Sequence, residues 1–136
     1  MRIVTLVFII AVAQSAVAAD EDAAARKKLV GTWTGRVQDG ATGHKLVITA
    51  ERITGTKDEN VDLGEGTFKL DLTQKPCRMD ATQAKGRRKG QAYLGIYLLD
   101  GDTLKWCVST PRNERPTEFT TQGSQFLLVL TRQKDK

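Results

Sequence analysis

Residues 90–119 constrain the fold more than any other stretch. In residues 91–99 the even positions Ala92, Leu94, Ile96 and Leu98 are apolar, and in residues 103–109 so are Leu104, Trp106 and Val108. Side chains alternate between the two faces of a strand, so each run reads as a strand with one greasy face. Gly101, set between Asp100 and Asp102, tolerates positive φ and marks a turn. For the two even faces to coincide, paired residue numbers must sum to an even number. A loop of Asp100, Gly101 and Asp102 does this by pairing Leu99 with Thr103. The result is a β-hairpin with one buried face, and its neighbours read as further strands of the same meander.

Those neighbours follow in order. Trp33, Gly35 and Val37 alternate with Thr32, Thr34 and Arg36 over residues 32–38. A turn over residues 38–43 leads to a second strand, 44–50, with Leu46, Ile48 and Ala50 inward, and Ile53 marks a short third one. Residues 56–66 are polar, end in Gly64 and Gly66, and read as a loop. Phe68, Leu70 and Leu72 alternate over 67–72, and Pro76 opens a strand with Cys77, Met79 and Ala81 on one face. Residues 85–90 read as a basic hairpin turn. Residues 110–123 read as a long polar loop with a brief strand at 117–121, and residues 125–131 as a last strand that is apolar on both faces.

Short strands at regular intervals with one helix predict an all-β fold, an antiparallel up-and-down barrel of about eight strands. Closure removes the exposed edges, and the last strand is too apolar to lie at one. The expected lining includes Leu46, Ile48, Phe68, Leu94, Ile96, Trp106 and Phe126, with Trp33, Met79, Leu98, Leu104 and Leu128.

The chain of 136 residues suggests one domain. Arg2, an apolar run to Ala13, and the small residues Ala16 to Ala19 read as a secretory signal peptide over residues 1–19. Residues 20–136 then form a single exported domain, periplasmic or secreted, with no transmembrane span once the leader is removed. Residues 20–29, acidic early and basic late, predict a short helix closed by Gly31 that covers one end of the barrel. The formal charge of +5 is a mild excess without a clustered face, which argues against nucleic acid as a partner.

Gly31-Thr32-Trp33 resembles the Gly-x-Trp signature of lipocalin-like barrels. In those barrels the tryptophan closes the floor, and an arginine at the end of the last strand lies across it. Arg132 stands where that arginine falls. More closely, the chain is similar to a planctomycete-rich family of small exported lipocalin-like domains whose function is not established. The resemblance rests on Gly31-Thr32-Trp33, Gly66-Thr67-Phe68-Lys69-Leu70-Asp71, Lys75-Pro76 with Met79-Asp80, Leu94-Gly95-Ile96-Tyr97, Leu99-Asp100-Gly101-Asp102-Thr103-Leu104, Cys107 and Arg115-Pro116-Thr117-Glu118-Phe119. Together these pieces span nearly all of the expected mature chain. The resemblance implies an exported lipocalin-like barrel with Trp33 and Arg132 as structural floor residues, and it supplies no catalytic residue. Cys77 departs from the family's usual residue.

No catalytic signature emerges. Ser109 and Ser124 lie outside any nucleophile-elbow pattern, and the turn explains Asp100 and Asp102. His44 is the only histidine and reads as a solvated strand-end residue; with two separated cysteines it makes no metal or haem site. The expectation is therefore a non-enzymatic protein without cofactor or metal. Cys77 falls on the inward face and Cys107 on the outward one, on strands separated by a third, which argues against a disulfide. Lys85, Arg87, Arg88 and Lys89, with Arg112 and Arg115, form a candidate surface for an anionic partner, an envelope protein or an anionic polymer. The plainer reading is a solvated hairpin tip and, for Arg115-Pro116, a brace that holds the long loop. The lining suits a small apolar ligand and equally a filled core. Two functions stay open: an exported binder of an apolar ligand, and a cell-envelope interaction module with a packed interior.

Overall fold

The structure, a computed structural model, describes residues 10–38, 40, 43–57 and 61–134. Helix α1 (Ile10–Leu29) precedes nine strands: β1 (Gly31–Val37), β2 (Gly43–Ile48), β3 (Arg52–Lys57), β4 (Val61–Asp71), β5 (Cys77–Gln83), β6 (Ala92–Tyr93), β7 (Gly95–Asp100), β8 (Thr103–Ser109) and β9 (Gln125–Arg132). Each strand except β6 pairs antiparallel with the next along the chain, β9 returns to β1, and the sheet closes. Leu94 separates β6 from β7, but both lie along β5, and Ser109 N donates to Leu94 O at 2.9 Å. These two pieces make one stave, so the barrel has eight staves in up-and-down order. That is the width at which side chains fill the interior or leave room for one small ligand.

The segment expected as a loop over 56–66 is mostly strand. β3 runs to Lys57 and β4 starts at Val61, with residues 58–60 outside the described part. The glycines that suggested a loop are paired across the ladder instead, Gly55 with Gly64 and Ile53 with Gly66. Residues 117–121 form no strand. Most of the residues at 39–42 in the expected first turn, and residues 1–9 of the expected leader, lie outside the described part. The helix starts earlier than the expected residue 20 and runs through the predicted cleavage positions, because the alanine-rich segment is strongly helix-forming throughout. No helix among the described residues is long and apolar enough to cross a membrane.

The interior core holds Trp33, Leu46, Ile48, Phe68, Met79, Leu104, Trp106, Val108, Leu128 and Leu130. The hairpin register corrects the expected lining. Asp100 pairs with Thr103 and Leu99 with Leu104, so the loop is Gly101-Asp102 alone, with Gly101 at φ 58 in its first position. Moving the pairing by one residue sends every β7 side chain to the opposite face. Tyr97 and Leu99 join the core, whereas Leu94 and Ile96, expected inside, point out of the barrel. Ala92 and Leu98 are likewise exposed. Gly95 explains the preference. A Cβ there would come within 2.8 Å of Met79 O and 2.6 Å of Trp106 Nε1, so the inward site opposite Val108 has room only for glycine. Trp106 takes the space and donates its indole N–H to Met79 O at 3.1 Å.

Ile96 is nevertheless only 3% exposed. The loop between β8 and β9 folds back along the outer wall, and Phe119 packs on Ile96, Cys107 and Leu127. Arg115 anchors this strap. Its guanidinium grips both Asp80 oxygens, with Nη2 to Oδ2 at 2.8 Å, and Nη1 also donates to Gly95 O at 2.8 Å. A second small core therefore lies outside the barrel, and it makes both faces of β7 apolar.

Candidate functional site

The two ends of the barrel differ. At one end α1 drops Leu29, fully buried, onto the core. Trp33 is also fully buried and donates Nε1–H to Leu29 O at 2.9 Å. The Arg132 guanidinium lies 4.3 Å from the Trp33 ring centroid and donates to Val30 O at 2.5 Å and Lys28 O at 2.6 Å. A Cβ on Gly31 would stand 2.8 Å from Arg132 Nη1, so the residue two before the tryptophan has to be small for the arginine to descend. Arg26 closes the same end from the helix side. It lies over Phe68 at 4.5 Å and donates to Ala50 O at 2.9 Å and Phe68 O at 2.7 Å. Stacking and charge-assisted hydrogen bonds hold the helix on the floor.

The opposite end is open. Between the strands lies a cavity of about 290 Å³. Leu46, Ile53, Trp106, Val108, Phe126 and Leu128 form its apolar wall, with Ala81 beside them. Gly55, Gly64 and Gly66 line the wall on β3 and β4, and β5 crowds two of them: a Cβ on Gly64 would stand 1.8 Å from Gln83 Nε2 and one on Gly66 2.2 Å from Thr82 O. His44, Lys57, Gln83, Arg88, Tyr93 and Thr110 supply the polar margin. The volume sits at the lower edge of the roughly 300–1,000 Å³ typical of small-molecule sites. Two larger hollows lie elsewhere: one on the outer wall along Thr34, Lys45, Val47, Thr54 and Thr56, another between α1 and the strands beside Ala24, Ala25, Leu72, Pro76, Tyr97 and Leu99. A molecule in the first would touch the outside of the sheet and one in the second the helix as well, whereas the interior cavity surrounds its contents with strands.

Of the residues expected to line a ligand site, Leu46, Trp106 and Phe126 line this cavity, and Ile48 and Phe68 lie in the core without lining it. Leu94 and Ile96 do not belong to it, for the register reason above. His44 is half-buried and lines the cavity rather than standing in solvent. The glycine wall was missed because Gly64 and Gly66 read as loop punctuation; the spacing of Gly55, Gly64 and Gly66 on adjacent strands was the available signal.

The basic residues are divided among several environments. Lys85 Nζ pairs with Glu65 Oε2 at 3.2 Å. With Arg52 on its other oxygen at 2.7 Å, these cations hold the Glu65 carboxyl below its usual range. Arg87 and Lys89 are exposed at the turn, and Arg88 reaches from it to the Tyr93 hydroxyl at 3.4 Å. Arg112 is exposed in the strap at φ 72. Arg115 is spent on Asp80, whose carboxylate raises its pKa further, so it braces the strap rather than facing a partner.

Both cysteines are free thiols. Cys107 is fully buried under the strap, donates to Thr120 O at 3.3 Å, and has its pKa pushed up by burial. Ser109 is also buried and donates to Glu114 O at 2.6 Å, a structural bond at the root of the strap. The described residues contain no group of three or more His, Cys, Asp or Glu placed to hold a metal.

Compared with known proteins, the chain matches no family model, no curated protein and no solved structure. The functional reading therefore rests on the geometry of the barrel.

Proposed function

We propose that this protein is an exported, non-enzymatic lipocalin-like carrier that holds a small apolar molecule inside its barrel. One observation carries the reading: one end of the barrel is sealed by Trp33, Arg132 and α1, while the other opens into an apolar cavity of about 290 Å³. A barrel selected only for stability gains by filling such space, since each buried methylene is worth about 0.8 kcal/mol. Here Ala81, which borders the space from β5, is small and leaves it unfilled.

The test is to purify the protein from its own host and examine it by native mass spectrometry and solvent extraction. The expected result is a substoichiometric or stoichiometric apolar molecule, lost in Ala81→Leu, which intrudes on the cavity. A protein that carries nothing, and whose Ala81→Leu variant matches the wild type for every apolar probe added back, refutes the reading. It would then favour the envelope interaction module.

A further inference from the structure

The cavity's polar residues lie at its margin, and the charged ones there share one sign. Lys57 ends β3, Arg88 enters from the turn between β5 and β6, and no carboxylate lines the cavity among the described residues. Neither Lys57 nor Arg88 is ion-paired with another described residue, in contrast to Lys85 and Arg115, which have Glu65 and Asp80. The Tyr93 hydroxyl engages one of Arg88's five donors, at 3.4 Å. Arg87 and Lys89 are exposed on the same turn and add to the positive field at this end. Arg88 carries more of the argument than Lys57, because the chain after Lys57 continues into Asp58 and Glu59, outside the described residues.

An apolar interior under a cationic margin selects a molecule with the matching two ends. A neutral hydrocarbon would leave the guanidinium idle, and a cationic amphiphile would set like charges together. The space bounds the size: at about 30 Å³ per water-sized group, the cavity holds roughly ten heavy atoms. We infer that the ligand is a small anionic amphiphile, with an apolar chain or ring system of roughly ten heavy atoms inside and a carboxylate or phosphate head against Arg88. The inference rests on the ligand-binding reading above and adds the head group and the size.

The full chain, stripped of any copurifying molecule, is titrated with decanoate, decyl phosphate, decanol and decyltrimethylammonium. Binding is read by calorimetry and by tryptophan fluorescence, since Trp106 lines the cavity. One of the anions binds about tenfold or more tighter than decanol, and added salt narrows the gap. Arg88→Ala removes that preference, so that the anions bind no tighter than decanol does to the same variant, whereas Arg87→Ala, outside the lining, retains it. Arg88 sits on an exposed turn, and an unchanged melting temperature shows that its variant is folded. Which anion binds better distinguishes a carboxylate head from a phosphate. Decanol binding as tightly as both anions, the ammonium binding best, or Arg88→Ala weakening all probes equally overturns the head-group assignment and leaves the carrier reading standing. Failure of every probe to bind overturns both.

Discussion

Filling the cavity should stabilise this protein, which is unusual for a substitution in a barrel core. Ala81 lies on β5 between Phe68 and Tyr93 on the neighbouring strands, is 9% exposed, and borders the cavity. Ala81→Leu adds three carbons, worth about 2.4 kcal/mol at about 0.8 kcal/mol each if all are buried. Ordering the longer side chain costs about 0.5–1 kcal/mol. The expected gain is therefore about 1.5 kcal/mol, a rise of about 6 °C in melting temperature at about 4 °C per kcal/mol. Leu130, fully buried in the core but outside the cavity lining, is the control: Leu130→Ala should cost about 3 kcal/mol, since that space is already packed. Thermal and urea unfolding by circular dichroism measure both variants. A melting temperature for Ala81→Leu below that of the wild type would show that the interior is already full, and the argument from open space would fail. A rise with lost ligand binding is the trade expected where function keeps a hole in a fold.

Three further outcomes follow from the same structure. Burial pushes the Tyr97 hydroxyl up to about 12, so the folded state holds this proton more tightly than the unfolded chain does. Its contribution is complete below pH 10 and is lost as pH rises towards 12; Tyr97→Phe should flatten that alkaline loss in urea titrations. Under native conditions a maleimide should label Cys77, which is half-buried, and spare Cys107. Phe119→Ala, which loosens the strap, should bring Cys107 into reach, and intact-mass and peptide mapping would show this. Arg132→Ala removes the stack on Trp33 and two bonds to backbone carbonyls at the end of α1, and should destabilise by about 2 kcal/mol in denaturant unfolding; no change would mean that the floor is held without it.

The architecture was legible in the chain because strand alternation is a local signal. Leu104, Trp106 and Val108 on β8, Phe68 and Leu70 on β4, and an apolar β9 on both faces can only be buried together in a closed sheet. The sign and position of the basic turn over residues 85–90, and the small residue two before Trp33, are equally readable along the sequence. Tertiary structure alone decided which face of β7 turns inward. Gly-Ile-Tyr-Leu-Leu is apolar on both faces, and only the crowding of Gly95 by Trp106 and Met79 O breaks the tie. Packing also decided that Ile96 and Cys107 would be covered from outside, since the strap that covers them is polar and is held by a bond from Arg115 to Asp80, 35 residues away. The cavity, too, belongs to the assembled barrel: along the sequence Gly55, Gly64 and Gly66 are punctuation, and only the pairing of β3 with β4 sets them together in its wall. Local pattern is set by neighbours along the chain, whereas register and voids are set by neighbours across it, which no linear reading brings together.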